Sequence, residues 1–240
     1  SSASLLLWLC AAAYACAAEP ALIQRSATLA EIFPVQQVRA LRSVLPADRR
    51  VTWTVRLPST PPRSVLVFVS PNATADPPSG WDTALDRHAM MAIAARDFGN
   101  PVPSNQRVLV ALMGLTLARR DYVPADARRY IGGMSGGGRI ASMAITKFPQ
   151  LFDGALYIVG ADDFGKAEPA RLAAIAANRY VFLTGEKDFN RREMTHVHER
   201  YRKAGVSQTL LLDLPRFAHQ YPDATGFESA LVFLDSSAER

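Results

Sequence analysis

Gly133-Met134-Ser135-Gly136-Gly137 spells G-x-S-x-G, with Arg129-Tyr130-Ile131-Gly132 running into it as a strand and residues 138–147 following as a helix. A serine at such a junction sits on a sharp turn. Small neighbours on both sides let its hydroxyl stand clear of the backbone. The start of the helix presents N–H groups without intrahelical partners, and the amide of Gly136 can face the oxyanion that forms when a serine adds to a carbonyl carbon. A serine hydroxyl is a weak nucleophile until a base takes its proton, and a histidine base needs a carboxylate to hold its tautomer. Both partners follow in the chain. Asp188 lies in Thr184-Gly185-Glu186-Lys187-Asp188-Phe189-Asn190 and His219 in Phe217-Ala218-His219-Gln220-Tyr221-Pro222, each just after a predicted strand. A glycine-rich structural turn would explain the pentapeptide alone, but not an acid and a base in the order Ser, Asp, His at separate strand ends.

Other groups compete for these roles. Asp162 and Asp163 also follow a strand, and Glu186 stands two residues before Asp188; Asp188 is preferred because its strand immediately precedes the one leading to His219. Asp162-Asp163 then reads as a solvated loop or the cap of the next helix. His196 and His198, two apart on a predicted helix, point to different faces and cannot chelate one metal ion, and His88 reads as a surface or boundary residue. No metal site and no cofactor is expected. Asn100, after Gly99 in a loop that follows a strand, reads as a turn residue that could line the pocket.

Gly132, Gly136 and Gly138 also spell G-x-x-x-G-x-G, a dinucleotide-type loop. That loop should follow the first strand of its sheet, whereas several strands precede it here, and no tyrosine has a lysine four residues on. A phosphate-binding loop fails as well, since no Gly-Lys-Ser/Thr follows.

The elements that must position these residues follow a rhythm. Val51-Thr52-Trp53-Thr54-Val55-Arg56-Leu57 alternates as a half-exposed strand, and Ser64-Val65-Leu66-Val67-Phe68-Val69 is an unbroken apolar run suited to a strand covered on both faces. Helices are predicted over residues 81–91, 105–120 (amphipathic), 138–147, 169–177, 191–204 and 226–234. Strands are predicted over residues 91–95, 129–133, 154–160, 180–184 and 209–214. Alternation of this kind predicts a mostly parallel sheet with helices on both faces and a site at the C-terminal strand ends. Between the strand ending at Gly160 and the next one there is room for one helix and no large lid domain.

From Val51 onward the chain resembles secreted α/β-hydrolases related to polyhydroxyalkanoate depolymerases and feruloyl esterases. The resemblance rests on residues 130–139 (Y-I-G-G-M-S-G-G-G-R), the Gly185-Glu186-Lys187-Asp188 turn, the Gly99-Asn100 loop and Ala218-His219. It implies an α/β-hydrolase fold and a Ser135, Asp188, His219 triad acting on small or polymeric esters through an acyl-enzyme. A serine peptidase, or a binding module on the same scaffold, is the alternative. Two departures stand out. Those relatives carry His-Gly after the first central strand where this chain has Val69-Ser70-Pro71-Asn72, and Ala218 replaces the commoner glycine. Pro71 has no N–H, so the second oxyanion donor is left to Ser70 or Asn72.

Half of the 240 residues are apolar by count (49%), enough for one domain with a substantial core. Residues 1–18 contain the apolar run Leu5-Leu6-Leu7-Trp8-Leu9-Cys10 and the processing-like Ala15-Cys16-Ala17. They read as a signal peptide truncated at its start and cleaved near Ala18, with lipid attachment at Cys16 as the weaker option. Residues 19–50 read as a lead-in and 51–240 as the catalytic domain. Both cysteines fall inside the leader, so the mature chain, secreted or periplasmic, would carry no thiol. The leader run is too short for a stable membrane span. The net charge of +5 is dispersed over arginine pairs without interleaved aromatics, which argues against a nucleic-acid partner.

Overall fold

The computed structural model describes residues 20–75 and 77–236; the signal-peptide reading falls outside them. In chain order the elements are β1 (Ala21–Ala27), α1 (Leu29–Ile32), α2 (Val35–Leu41), β2 (Val51–Leu57), β3 (Ser64–Val69), α3 (Asp82–Arg87), β4 (Met90–Ala95) and α4 (Ser104–Asp121). They continue with β5 (Arg128–Met134), α5 (Gly136–Lys147), β6 (Gly154–Ile158), α6 (Pro169–Ala176), β7 (Arg179–Lys187), α7 (Arg191–Lys203), β8 (Thr209–Ala218) and α8 (Ala224–Asp235). Among the described residues eight strands form one sheet in the order β1-β2-β4-β3-β5-β6-β7-β8. Only β2 runs against the rest, since it is antiparallel to both β1 and β4 while every other pair is parallel.

Period-two side-chain alternation divides the core between the two faces of this sheet. Val65, Val67 and Val69 of β3 join α4, α5 and α7 in one cluster, while Leu66 and Phe68 join α3 and α8 in the other. The central strands are buried on both sides, which is why they read as unbroken apolar runs. On the second face Trp81 stacks flat on Phe227, with centroids 3.9 Å apart, and its indole N–H donates to Pro222 O at 3.0 Å. A core indole therefore anchors the loop that carries His219.

Three sequence expectations change. The lead-in of residues 19–50 is not peripheral: residues 21–27 are the edge strand, zipped to all of β2 from Ala21↔Leu57 to Ala27↔Val51. The polar run Gln24-Arg25-Ser26 breaks any alternation, which an exposed edge tolerates. The helix expected over residues 81–91 is short, spanning α3 only, and β4 begins at Met90. Helix α4 is not a simple amphipath. Residues from Arg107 to Ala118 are buried around much of its circumference, because α1 and α5 pack beside it as well as the sheet. Only α6 and its flanking loops connect β6 to β7, so among the described residues no large lid is inserted there. Among the described residues no helix is long and apolar enough to cross a membrane.

Candidate active site

Ser135 occupies the turn between β5 and α5 with φ 53° and ψ −121°, a conformation that costs a non-glycine residue on the order of 1–3 kcal/mol. What holds it there is close packing. A Cβ on Gly133 would lie 2.4 Å from Gly137 O, and one on Gly137 would lie 1.9 Å from Val69 O, so only glycine lets the start of α5 approach β3 and β5 this closely. Ser135 N–H donates to Ile158 O at 2.8 Å, which fixes the turn to the end of β6. The hydroxyl is left facing out above the strand ends.

His219 and Asp188 arrive by register. The last paired residues of β7 and β8 are Lys187 and Ala218, after a bulge between Gly185 and Lys187, so Asp188 and His219 are the next residue on each strand. His219 Nε2 stands 2.9 Å from Ser135 Oγ, and Nδ1 stands 2.8 Å from Asp188 Oδ1. The Asp188 side chain is fully buried. Oδ2 accepts from the Thr184 hydroxyl at 2.6 Å and Oδ1 accepts from Asn190 N–H at 3.1 Å, donors that stabilise a carboxylate out of water. A carboxylate here orients the ring so that Nε2 is the acceptor toward Ser135. Phe189, 77% exposed, stacks on the imidazole with centroids 3.9 Å apart.

The opposite side of Ser135 is built from the loops after β3 and β4. Gly136 begins α5, and its N–H has no intrahelical acceptor. Ser70 is buried, and Asn72 N–H donates to Ser70 Oγ at 3.0 Å within its own turn. Asn100 N–H donates to Pro71 O at 2.8 Å, which lays the Gly99-Asn100 loop along this turn. Beneath them lies Arg107, a residue the sequence did not single out. Its guanidinium donates to Phe98 O and Ser70 O, both at 3.0 Å, to Asn100 Oδ1 at 3.2 Å and to Gly136 O at 3.5 Å. Burial pushes its pKa down to about 10, which leaves it a cation at neutral pH. All four acceptors are carbonyl oxygens.

No family model and no curated protein matches this sequence. Solved structures do. A ferulic acid esterase shares 17% identity at a TM-score of 0.61, covering 90% of this chain and 97% of that one. The fluorophosphonate-binding serine hydrolase F of Staphylococcus aureus, in a substrate-bound structure, shares 12% at 0.64, covering 91% and 100%. A dienelactone hydrolase of Anabaena variabilis shares 11% at 0.64, covering 90% and 97%. The chain has the α/β-hydrolase fold.

Within that α/β-hydrolase scaffold the other carboxylates are engaged elsewhere. Asp162 pairs with Arg139 at 2.8 Å, and Asp163 pairs with Arg200 at 3.0 Å, so neither is a freely solvated loop residue nor the cap of α6, whose N-cap is Glu168. Arg139 also pairs with Glu193, and these hydrogen bonds raise its pKa. Glu186 accepts from Arg216 N–H at 2.9 Å. His196 is exposed, whereas His198 is buried and faces Thr209 Oγ1 at 3.2 Å. His88 caps α3, each ring nitrogen 3.2 Å from a carboxylate, Asp235 and Glu228.

Proposed function

We propose that this protein is a serine hydrolase that cleaves carboxylic esters through an acyl-enzyme, with Ser135 as nucleophile, His219 as base and Asp188 as the acid that orients it. The observation that carries this reading is the unbroken relay from Ser135 Oγ to His219 Nε2 and from Nδ1 to Asp188 Oδ1, at 2.9 and 2.8 Å. Ser135 Oγ adds to the ester carbonyl carbon while its proton passes to Nε2. The imidazolium, facing buried Asp188, then gives that proton to the departing alkoxide. Water repeats the sequence on the acyl-serine: its proton goes to His219, and collapse releases the acid and regenerates Ser135. The Gly136 N–H supports the oxyanion in both steps.

Short or medium acyl esters, or aryl esters of the kind the ferulic acid esterase's name indicates, fit best. The connection between β6 and β7 is too short to form a large cover for a long acyl chain, and Phe189 offers an exposed ring beside the base. The resemblance to polyhydroxyalkanoate depolymerases extends the same chemistry to polymeric esters. Export belongs to the proposal too: β1 begins at Ala21, so cleavage near Ala18 would leave the whole sheet intact.

A fluorophosphonate probe tests the reading in one step. It should label the wild-type protein and leave Ser135→Ala unlabelled; failure to label folded wild-type protein would sink the hydrolase assignment. A chain-length panel of chromogenic esters should peak at short or medium chains, and a maximum at long chains would refute the substrate class.

A further inference from the structure

An oxyanion hole takes more than one donor, and the loop after β3 offers few: Pro71 has no N–H and Asn72 N–H is already held by Ser70 Oγ, which leaves the Ser70 N–H alone there. The Asn100 carboxamide lies against the first donor instead. A Cβ on Gly136 would meet Asn100 Oδ1 at 2.2 Å, Cγ at 2.8 Å and Nδ2 at 3.0 Å, so the amide occupies the space that a side chain on the residue after the nucleophile would fill.

The orientation of that amide is decided by Arg107. A guanidinium has donors only, so the atom facing Nη1 at 3.2 Å must be the carbonyl oxygen, and the NH₂ is turned the other way. Asn100 is exposed, and its Nδ2 has no hydrogen-bond partner among the described residues. Its backbone is fixed by the bond to Pro71 O, and Arg107 ties the same residue to Ser70 O, Phe98 O and Gly136 O. An unengaged donor beside the residue after the nucleophile, on a side chain whose oxygen and backbone are both held, is what electrostatic preorganisation can use.

We propose that the Asn100 side-chain N–H is the second oxyanion donor of the site, held in place by Arg107. This rests on the esterase reading above, and the two can fail separately. If wild-type protein is labelled at Ser135 and hydrolyses a p-nitrophenyl ester, that reading stands and the Asn100 variants decide the present one. Asn100→Ala should lower kcat by about 10²-fold with KM little changed, the loss expected for one oxyanion donor. The shape of the pH–rate profile should stay the same, because His219 and Asp188 are untouched. Asn100→Asp separates donor from scaffold. It keeps an oxygen for Arg107, so a purely structural role would leave it more active than Asn100→Ala. As a donor site it should be slower than Asn100→Ala, since it presents a carboxylate oxygen to the developing oxyanion. Asn100 is exposed, so both variants should fold, and unchanged melting temperatures would verify that. An Asn100→Ala enzyme within about threefold of wild-type kcat, or an Asn100→Asp enzyme faster than Asn100→Ala, would overturn the proposal.

Discussion

Replacing Asp188 by Asn removes a charge while keeping the shape, and the structure says which way the new amide must face. Asp188 Oδ1 accepts from two N–H groups, His219 Nδ1–H at 2.8 Å and Asn190 N–H at 3.1 Å; Oδ2 accepts from the Thr184 hydroxyl at 2.6 Å. Turning an NH₂ toward His219 would set it against the fixed Asn190 donor. Turning it toward Thr184 costs little, because a hydroxyl can rotate to accept. The oxygen of the substituted amide therefore stays on His219, and the imidazole keeps the tautomer that presents Nε2 to Ser135. Only the charge is lost. Two unit charges about 4 Å apart interact by about 4 kcal/mol at an effective dielectric of about 20, or about 10³-fold in rate if the whole attraction to the imidazolium disappears. The amide dipole retains part of this, so the expected loss in kcat is about 10²- to 10³-fold, against about 10⁴-fold where the same substitution inverts the tautomer. Steady-state kinetics on a p-nitrophenyl ester, with melting temperatures as a folding control, measures it. A loss of about 10⁴-fold or more in a folded variant would refute the argument from Asn190, and activity within about tenfold of wild type would remove Asp188 from the acid role altogether.

Ser135→Ala should lose at least about 10³-fold in kcat while folding normally, and retained turnover in the folded variant would end its assignment as nucleophile. Gly137→Ala should fail to fold or lose several degrees of melting temperature, because its methyl would lie 1.9 Å from Val69 O; a thermal melt decides between tolerance and collapse. Burial holds the His198 pKa below the ordinary histidine value, so the unfolded chain takes up that proton at higher pH than the folded one. Its contribution to stability is present above the unfolded value of about 6.5 and is lost as the pH falls from there through the lower folded value, and His198→Gln should flatten chemical-denaturation stability between about pH 7 and 5. Mass spectrometry of exported protein should find a mature N-terminus near Glu19, and an uncleaved cytoplasmic chain would contradict export.

The parallel core was legible in the sequence because burial on both faces leaves a strand no choice of composition. Ser64–Val69 and Gly154–Ile158 are buried at every position. Edge β1 was illegible for the converse reason. With solvent over much of it, Gln24-Arg25-Ser26 obey no alternation, and what makes the segment a strand is its pairing with β2, about thirty residues on. Short α3 was overextended since Ala89, Met90 and Met91 are as apolar as a buried helix, and periodicity over so few residues cannot tell the two apart.

The same division runs through the site. Ser135, Asp188 and His219, which the fold brings into hydrogen-bonding distance, could be picked out because the roles proposed for them restrict residue type and chain position together: a nucleophile in a glycine-rich turn, then an acid and a base one residue beyond adjacent strands. Arg107 carries no such mark. In the sequence it is one arginine in Ser-Asn-Gln-Arg-Val-Leu-Val, and ordinary reasoning puts an arginine on a helix face in water. What draws it inside is a set of carbonyl oxygens that the fold cannot satisfy otherwise. Loops 70–73 and 97–100 leave regular strand geometry at the point where α5 begins, so Ser70 O and Phe98 O lose their ladder partners, and one planar guanidinium with five donors can serve such diverging acceptors where a lysine could not. The requirement is created by three loops meeting in space. It exists only once the sheet has assembled, which is why the arginine that ties these loops to the start of α5 is one that linear spacing had no means of finding.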